Sequence, residues 1–306
     1  MKLLIKLLLL IILIFSAKPA LCQLKQEVPF KISRNKTILP VRIGNSRVLN
    51  IILDSGMGYD GVLIFNPSLR DSLALINPIE MNIAGAGSGN ASRALVSESA
   101  DFHLGNVEFK NQRIIVLRGD AFKGFPTDGV TGYSILGHYM VEMNYDKNIM
   151  TLHNPDSFKT DNSWTEIPIY FKDNNIPWID VKVAVENEAP VKLSVYIDYA
   201  SGEAVELLEK EKQKFRIPKN VKEVYLGKGL SGDIYGKKGI ISKLIIGPHE
   251  LKNVDAAFAP AKVRSKQNNA DGIIANSIIR RFNLIFDYEN KKLYIKPNSH
   301  FNEPFQ

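Results

Sequence analysis

The chain repeats itself. Asp54-Ser55-Gly56-Met57-Gly58 stands behind the apolar run Ile51-Ile52-Leu53, and Asp198-Tyr199-Ala200-Ser201-Gly202 stands behind Val195-Tyr196-Ile197. Further pairs recur in the same order at a nearly constant offset of about 142 residues: Gly85-Ala86-Gly87 with Gly227-Lys228-Gly229, Gly105 to Asn111 with Gly247 to Asn253, Asp128-Gly129-Val130 with Asp271-Gly272-Ile273, and Glu142 to Asp146 with Leu284 to Tyr288. Such a pattern restricts the fold to one that can be built twice and joined. It also places one aspartate per copy behind an apolar run.

With 306 residues there is room for two lobes of ordinary domain size. A composition of 45% hydrophobic and 23% charged residues excludes general disorder. Residues 1–22 read separately. Lys2 and Lys6 precede the apolar run Leu7 to Phe15, and Ala20-Leu21-Cys22 puts small residues before Gln23, the pattern of a secretory signal and its cleavage site. An uncleaved anchor is the alternative, but the run is short against the roughly 20 residues of a membrane span. Pro19-Ala20-Leu21 is a poor lipobox. The expectation is an exported protein, periplasmic or secreted, touching a membrane only through an uncleaved leader. Cys22 is the only cysteine, so cleavage after it removes disulfides, thiol nucleophiles and thiolate metal sites together. The net charge is +7, and Lys2, Lys6 and Lys18 lie in the leader. The mild remainder is spread along the chain and predicts no nucleic-acid partner.

After the leader, short runs rich in Val, Ile and Tyr predict strands at Leu39 to Ile43, Val48 to Leu53, Arg113 to Leu117, Val141 to Tyr145 and Met150 to His153. The second half repeats them at Trp178 to Val183, Leu193 to Ile197, Ile240 to Ile246, Leu284 to Tyr288 and Leu293 to Lys296. Turn clusters at Asp146-Lys147-Asn148 and Asp287 to Lys291 close each copy in a hairpin. Short helices are expected at Pro67 to Leu75, Tyr133 to Met140, Glu203 to Phe215 and Asn276 to Phe282. The polar stretch around Asn154 to Glu166 predicts a connection, giving lobes at 23–155 and 171–306 joined by a linker at 156–170. The fold class is therefore all-β with a few short helices, in two pseudo-symmetric lobes.

Each apolar run carries its aspartate toward a buried position, where a carboxylate must be paired or hydrogen-bonded. If the copies face each other across a pseudo-twofold axis, Asp54 and Asp198 meet at the lobe interface. Like charges at about 3 Å cannot both ionise, so the pair would share one proton. Such a pair can draw a proton from water with one oxygen and protonate a carbonyl with the other.

These residues resemble the aspartic peptidases, pepsin-like in being bilobal and retropepsin-like in the brevity of each lobe. The resemblance rests on the hydrophobic-hydrophobic-Asp-Ser-Gly motif at Ile52 to Gly56, on Asp128-Gly129-Val130-Thr131-Gly132, which resembles the hydrophobic-hydrophobic-Gly element of that family, and on the closing hairpins. It covers about residues 28 to 298, and the closing hairpins resemble those of paired, exported bacterial proteins of this type. It implies two β-barrel lobes with the active site between them, Asp54 and Asp198 as the catalytic pair, and Gly-rich flaps over the cleft. It further implies a peptide or protein substrate, no cofactor, no metal and a monomer. In the first copy Ser55 would supply the hydroxyl that ties the two Asp loops, and Gly56 the small backbone. The second copy departs: Tyr199 stands where Ser or Thr is expected, Ala200 where Gly is expected, and Ala275 opposite Gly132. A phenol cannot replace a short hydroxyl in a tight loop, and over-packing by added methyl groups typically costs about 1–3 kcal/mol. Ser201, one residue late, is the nearest substitute hydroxyl. Three readings stay open: an active endopeptidase, a degraded relative that binds peptides in the cell envelope without cutting them, and a structural cell-envelope protein, which only the export signal supports.

The flap candidates are Gly85, Gly87 and Gly89 in the first copy and Gly227 and Gly229 in the second. Gly227 to Gly232 matches G-x-G-x-x-G, but Asp233 to Gly239 cannot supply the helix that a dinucleotide fingerprint needs. No G-x-S-x-G elbow and no H-E-x-x-H occurs, and the five histidines are scattered. His138 and Glu142, although four residues apart, have no third ligand. Asp128 and Asp271 recur in step and are expected to hydrogen-bond their own turns.

Overall fold

The computed structural model describes residues 25–155, 158–172, 174–267 and 269–305. The leader, including Cys22, lies outside these residues. Within them the chain is built of strands with a few short helical turns.

The two copies form the same closed arrangement. In the first lobe the order around the ring is Lys36–Ile43, Leu49–Leu53, Gly129–Thr131, Val62–Ile64, Val107–Leu117 and Ser92–Leu104. Pairing of Val41 with Leu104 and of Ile43 with Phe102 closes it. In the second lobe the order is Trp178–Ala184, Val191–Asp198, Gly272–Ala275, Val205–Glu209, His249–Pro260 and Gly232–Ile246, closed by Lys182 opposite Ile245. Closure leaves no long free edge in either ring. One hairpin projects from each lobe: Ile79–Ile83 with Ser92–Leu104, and Lys222–Gly229 with Gly232–Ile246.

A third, six-stranded sheet belongs to both copies. It runs Lys25–Pro29, Ile149–His153, Met140–Asn144, Phe282–Asp287, Lys292–Pro297, Thr165–Pro168. Its central seam pairs Val141 with Phe286 and Met143 with Leu284, one hairpin from each copy. One continuous apolar core passes from lobe to lobe through this sheet and includes Leu53, Val141, Ile197, Tyr199 and Phe286. Thr165–Pro168 falls in the stretch read from sequence as a linker, yet it forms an edge of the shared sheet.

Three of the expected helices shrink. Pro67–Ser72 is a 3-10 turn capped by the Asn66 side chain, which accepts from Ser68 N–H at 3.0 Å. Tyr133–Leu136 and Asn276–Ile279 are single α-turns, because Met140 and Phe282 are already taken by the shared sheet. The fourth expectation is wrong in kind: Glu203 to Phe215 contains the strand Val205–Glu209. That strand lies between Gly272–Ala275 and His249–Pro260 and is buried on both faces. A doubly buried strand reads as a continuous apolar run, which periodicity cannot separate from a helix.

Candidate active site

In both lobes a parallel pair of strands delivers the aspartate. Leu49–Leu53 runs parallel to Gly129–Thr131, and the Asp54 N–H continues the ladder by donating to the Thr131 carbonyl at 2.8 Å. Val191–Asp198 runs parallel to Gly272–Ala275 and ends on Asp198. Each chain then turns back under its own carboxylate. Gly56 N–H donates to Asp54 Oδ1 at 2.8 Å. Asp198 Oδ1 accepts from Ala200 N–H at 2.8 Å and from Ser201 N–H at 3.1 Å.

The two carboxyl groups converge on Gly56. A methyl group placed on its α-carbon would lie 3.0 Å from Asp54 Oδ1 and 3.6 Å from both Cγ and Oδ2 of Asp198. Burial is the largest influence on Asp54 and the negative charge of Asp198 the next; together they push its pKa up from 3.8 to about 7. The Gly56 N–H, Lys36 and Arg264 pull the other way and do not prevent the rise.

A single hydroxyl bridges the loops. Ser55 Oγ, fully enclosed, donates to the Ile197 carbonyl at 2.7 Å and accepts from Tyr199 N–H at 3.3 Å. Tyr199 returns no such bond. Its ring has no exposed surface and points into the shared sheet, with its centroid 5.9 Å from that of Phe286. Its phenolic oxygen is buried without a hydrogen-bond partner, beside a Tyr145 hydroxyl already engaged with Thr37 at 3.1 Å and Asn276 at 3.3 Å. Burial holds the Tyr199 phenol well above its usual pKa. Among the described residues the Ser201 hydroxyl makes no bond to the first loop; Ser201 serves through its backbone, donating to Asp198 and accepting from Asn276 N–H.

The missing half of the bridge is supplied from elsewhere. Lys36 Nζ donates to the Ala200 carbonyl, and Asn35 Nδ2 donates to the Gly202 carbonyl at 3.3 Å. Both come from the first lobe and grip the loop that holds Asp198. Asn276 Nδ2 in turn donates to the Asn35 carbonyl at 2.7 Å. Burial lowers the pKa of Lys36, opposed by the charges of Asp198, Asp54 and Glu203.

The Gly132 and Ala275 pair shows how the lobes differ. A methyl group on Gly132 would fall 1.9 Å from the Asp54 carbonyl oxygen, so the first loop tolerates only glycine there. Ala275 is fully buried at the matching place. The backbone around Asp198 therefore cannot follow the path taken around Asp54.

Asp128 and Asp271 do not bond their own turns, contrary to expectation. Asp128 Oδ2 accepts from Asn50 N–H at 2.8 Å and Asp271 Oδ2 from Ser194 N–H at 3.0 Å, in each case on the strand leading to the candidate aspartate. Arg47 pairs with Asp128 at 2.6 Å, and Lys214 and Lys210 pair with Asp271 at 2.6 and 3.3 Å. They anchor the strands from beneath. His138 pairs with Asp60 and His153 with Glu142, which separates the two residues whose spacing suggested a ligand pair. Among the described residues no three His, Cys, Asp or Glu side chains could hold a metal ion, and no helix is long and apolar enough to cross a membrane.

Lys36, Asn35 and a buried ion pair went unread in the sequence. Glu206 and Arg264 meet through two hydrogen bonds, one of 2.7 Å, with side chains 1% and 10% exposed. Arg264 is close enough for the charges of Asp54 and Asp198 to be felt at the guanidinium. The one readable sign was a glutamate inside the apolar run Val205-Glu206-Leu207-Leu208.

The flap glycines stand in the two projecting hairpins. Gly85, Gly87 and Gly89 occupy the tip between Ile79–Ile83 and Ser92–Leu104, and Gly227 and Gly229 lie in Lys222–Gly229. The tips meet, with Ser231 N–H donating to the Ala86 carbonyl at 2.8 Å. No protein-family model matches this chain, and no curated protein matches it.

Proposed function

We propose that this protein is an aspartic endopeptidase, hydrolysing peptide bonds with a water held between Asp54 and Asp198. The observation that carries the reading is the convergence of the two carboxyls on Gly56, with Asp54 raised to about 7. A pair that shares one proton has an acid and a base in one site. The environment distinguishes the roles. Both carboxyls are held by backbone N–H donors, two on Asp198 and one on Asp54, and burial with the neighbouring charge makes Asp54 the group that keeps its proton. Asp54 is accordingly the proton holder and Asp198 the base.

The reaction then runs without a covalent intermediate. Asp198 takes a proton from water as its oxygen adds to the scissile carbonyl carbon, and Asp54 gives its proton to the carbonyl oxygen. The resulting gem-diol collapses as the C–N bond breaks. The amine leaves with the proton that Asp198 took up, and Asp54 regains one from the diol. A substrate in extended conformation suits this cleft, because hairpin edges offer backbone partners for an added strand.

The second reading is peptide binding without hydrolysis, favoured by Tyr199, which leaves the loops with one hydroxyl bridge. The test is cleavage of an unfolded-protein mixture from about pH 3 to 8 by the purified protein beside Asp54→Asn and Asp198→Asn. Cleavage by the parent and by neither variant supports the peptidase. Equal inertness of all three, with retained affinity for the peptides, selects the binding reading.

A further inference from the structure

A hairpin tip is ordinarily the most solvated part of a β-protein. Here the two tips are pressed against each other: Ser231 is buried between them, while Ser88, Gly89 and Asn90 face solvent. Gly87 N–H donates to the Val263 carbonyl at 2.8 Å, which ties the first flap to the second lobe. Ser231 N–H donates to the Ala86 carbonyl at 2.8 Å, Gly85 N–H to Ser231 Oγ at 3.1 Å, and Gly89 N–H to the Ser231 carbonyl at 2.5 Å. Ser88 Oγ donates to the Asp233 carbonyl at 3.1 Å and Ser92 Oγ to the Leu230 carbonyl at 2.9 Å. Ser231, at the tip, is only 5% exposed.

The glycines are matched to this contact. A side chain on Gly87, whose φ is +128°, would lie 2.4 Å from the Ser231 carbonyl carbon, and one on Gly229 would lie 2.1 Å from the Ala86 oxygen. Flexibility alone does not require glycine at a surface against which another backbone is pressed; close approach does.

The apolar contacts are exchanged between lobes. Leu230, from the second flap, packs against a first-lobe cluster that includes Met57, Leu63, Phe65, Leu117 and Phe122. Ala200, from the loop of Asp198, packs against the same cluster, and Met57 follows the loop of Asp54, so this wall borders the carboxyl pair. Ala86, from the first flap, packs in return against the second-lobe cluster containing Ala261 and Val263. The two walls differ in kind. The first offers Leu63 and Phe122, whereas the second holds the Glu206–Arg264 pair close by.

We propose that Leu230 is a built-in occupant of the first-lobe wall beside the carboxyl pair, so that the resting protein is self-blocked and opens to an extended segment whose aliphatic side chain can replace Leu230. This rests on the peptidase reading for the identity of the ligand, but the block itself does not. Substrate selection then contains a competition: a side chain gains only what it adds over leucine on the same surface. Small or charged residues would leave the flap in place, and branched or straight aliphatic residues of comparable size would displace it.

The test uses exchange and binding rather than cleavage. The probe is a peptide carrying a non-cleavable hydroxyethylene unit flanked by leucine. Backbone exchange is followed at the peptides containing Gly87, Gly89 and Ser231 in the parent, Leu230→Ser and Leu230→Met, with melting curves to show that all three are folded. The parent and Leu230→Met should protect these amides, and Leu230→Ser should not. If the open form is populated at about 1–10%, removing the plug should tighten probe binding about 10- to 100-fold, with Leu230→Met close to the parent. Parent amides exchanging as fast as an open loop, or equal affinity of parent and Leu230→Ser, would overturn the proposal. A protein that cuts nothing, yet whose Leu230→Ser variant loosens and takes up the probe more tightly, would support the self-block while refuting hydrolysis.

Discussion

Replacing Asp54 by Asn should make the protein more stable at neutral pH, and the size of the gain can be worked out. The folded chain holds the Asp54 carboxyl at about 7 against an ordinary 3.8. Between those values the folded state keeps a proton that the unfolded state has released. Stability therefore falls as pH rises through this window and levels off above it. A difference of about three units at about 1.36 kcal/mol each is about 4 kcal/mol. This is a ceiling, because Asp54 retains partial contact with solvent and screening reduces the effect. The carboxamide introduced by Asp54→Asn keeps an oxygen for the Gly56 N–H and does not titrate. Urea unfolding followed by tryptophan fluorescence at half-unit steps from pH 4 to 8 measures both curves. The parent and variant should differ least at the acid end and diverge toward pH 7, with the variant the more stable. Curves that run parallel across the window would show that Asp54 titrates as an ordinary carboxyl and remove the physical basis for a shared proton.

Other consequences are sharp enough to check. Tyr199→Phe removes an oxygen buried without a partner and should hold or raise stability by about 1 kcal/mol in a urea melt; a comparable loss would show that the phenol is paired. Ser55→Ala deletes the one hydroxyl bridge between the Asp loops among the described residues and should cost about 1–2 kcal/mol; under the proposed peptidase reading, turnover should fall in kcat more than in KM. Glu206→Gln takes from Arg264 its directly bonded carboxylate in a buried site and should cost about 3–5 kcal/mol, of which Glu206→Leu with Arg264→Met recovers most. Lys36→Met removes a positive charge that lowers the Asp54 pKa, so under the proposed peptidase reading the alkaline limb of the pH profile should move upward from about 7; a downward shift would contradict the assigned charges.

The residues that make the fold legible are those with local, repeated reasons to be where they are. The strands behind Asp54 and Asp198 read directly from apolar runs, as did the closing hairpins with their turn clusters. The repeat brought the two aspartates together on paper, and the structure brings their carboxyls together at Gly56. Illegible features depend on partners far away in the chain. Val205–Glu209 looks helical until its two neighbouring strands are known. Lys36 is an ordinary strand lysine by sequence; only the fold sets its ammonium against the Ala200 carbonyl. Asp128 and Asp271 sit before glycine, the usual sign of a local turn, and instead reach back to Asn50 and Ser194. The departures at Tyr199 and Ala200 were visible, but not the brace from Asn35 and Lys36 that offsets them.

The shared sheet carries a consequence for the order of assembly. Its seam joins Met140–Asn144 to Phe282–Asp287, closing a loop of about 140 residues that is costly to order before its contacts form. A chain emerging from the ribosome can complete the first ring, and the hairpin of Met140–Asn144 with Ile149–His153, while Phe282–Asp287 across the seam is still unmade. During that interval Asp54 has no second carboxyl beside it, and Ser55 has no Ile197 carbonyl to hold. The paired site is thus a late product of folding. A nascent chain carries no competent pair of carboxyls past its own unfolded second half or the machinery that handles it.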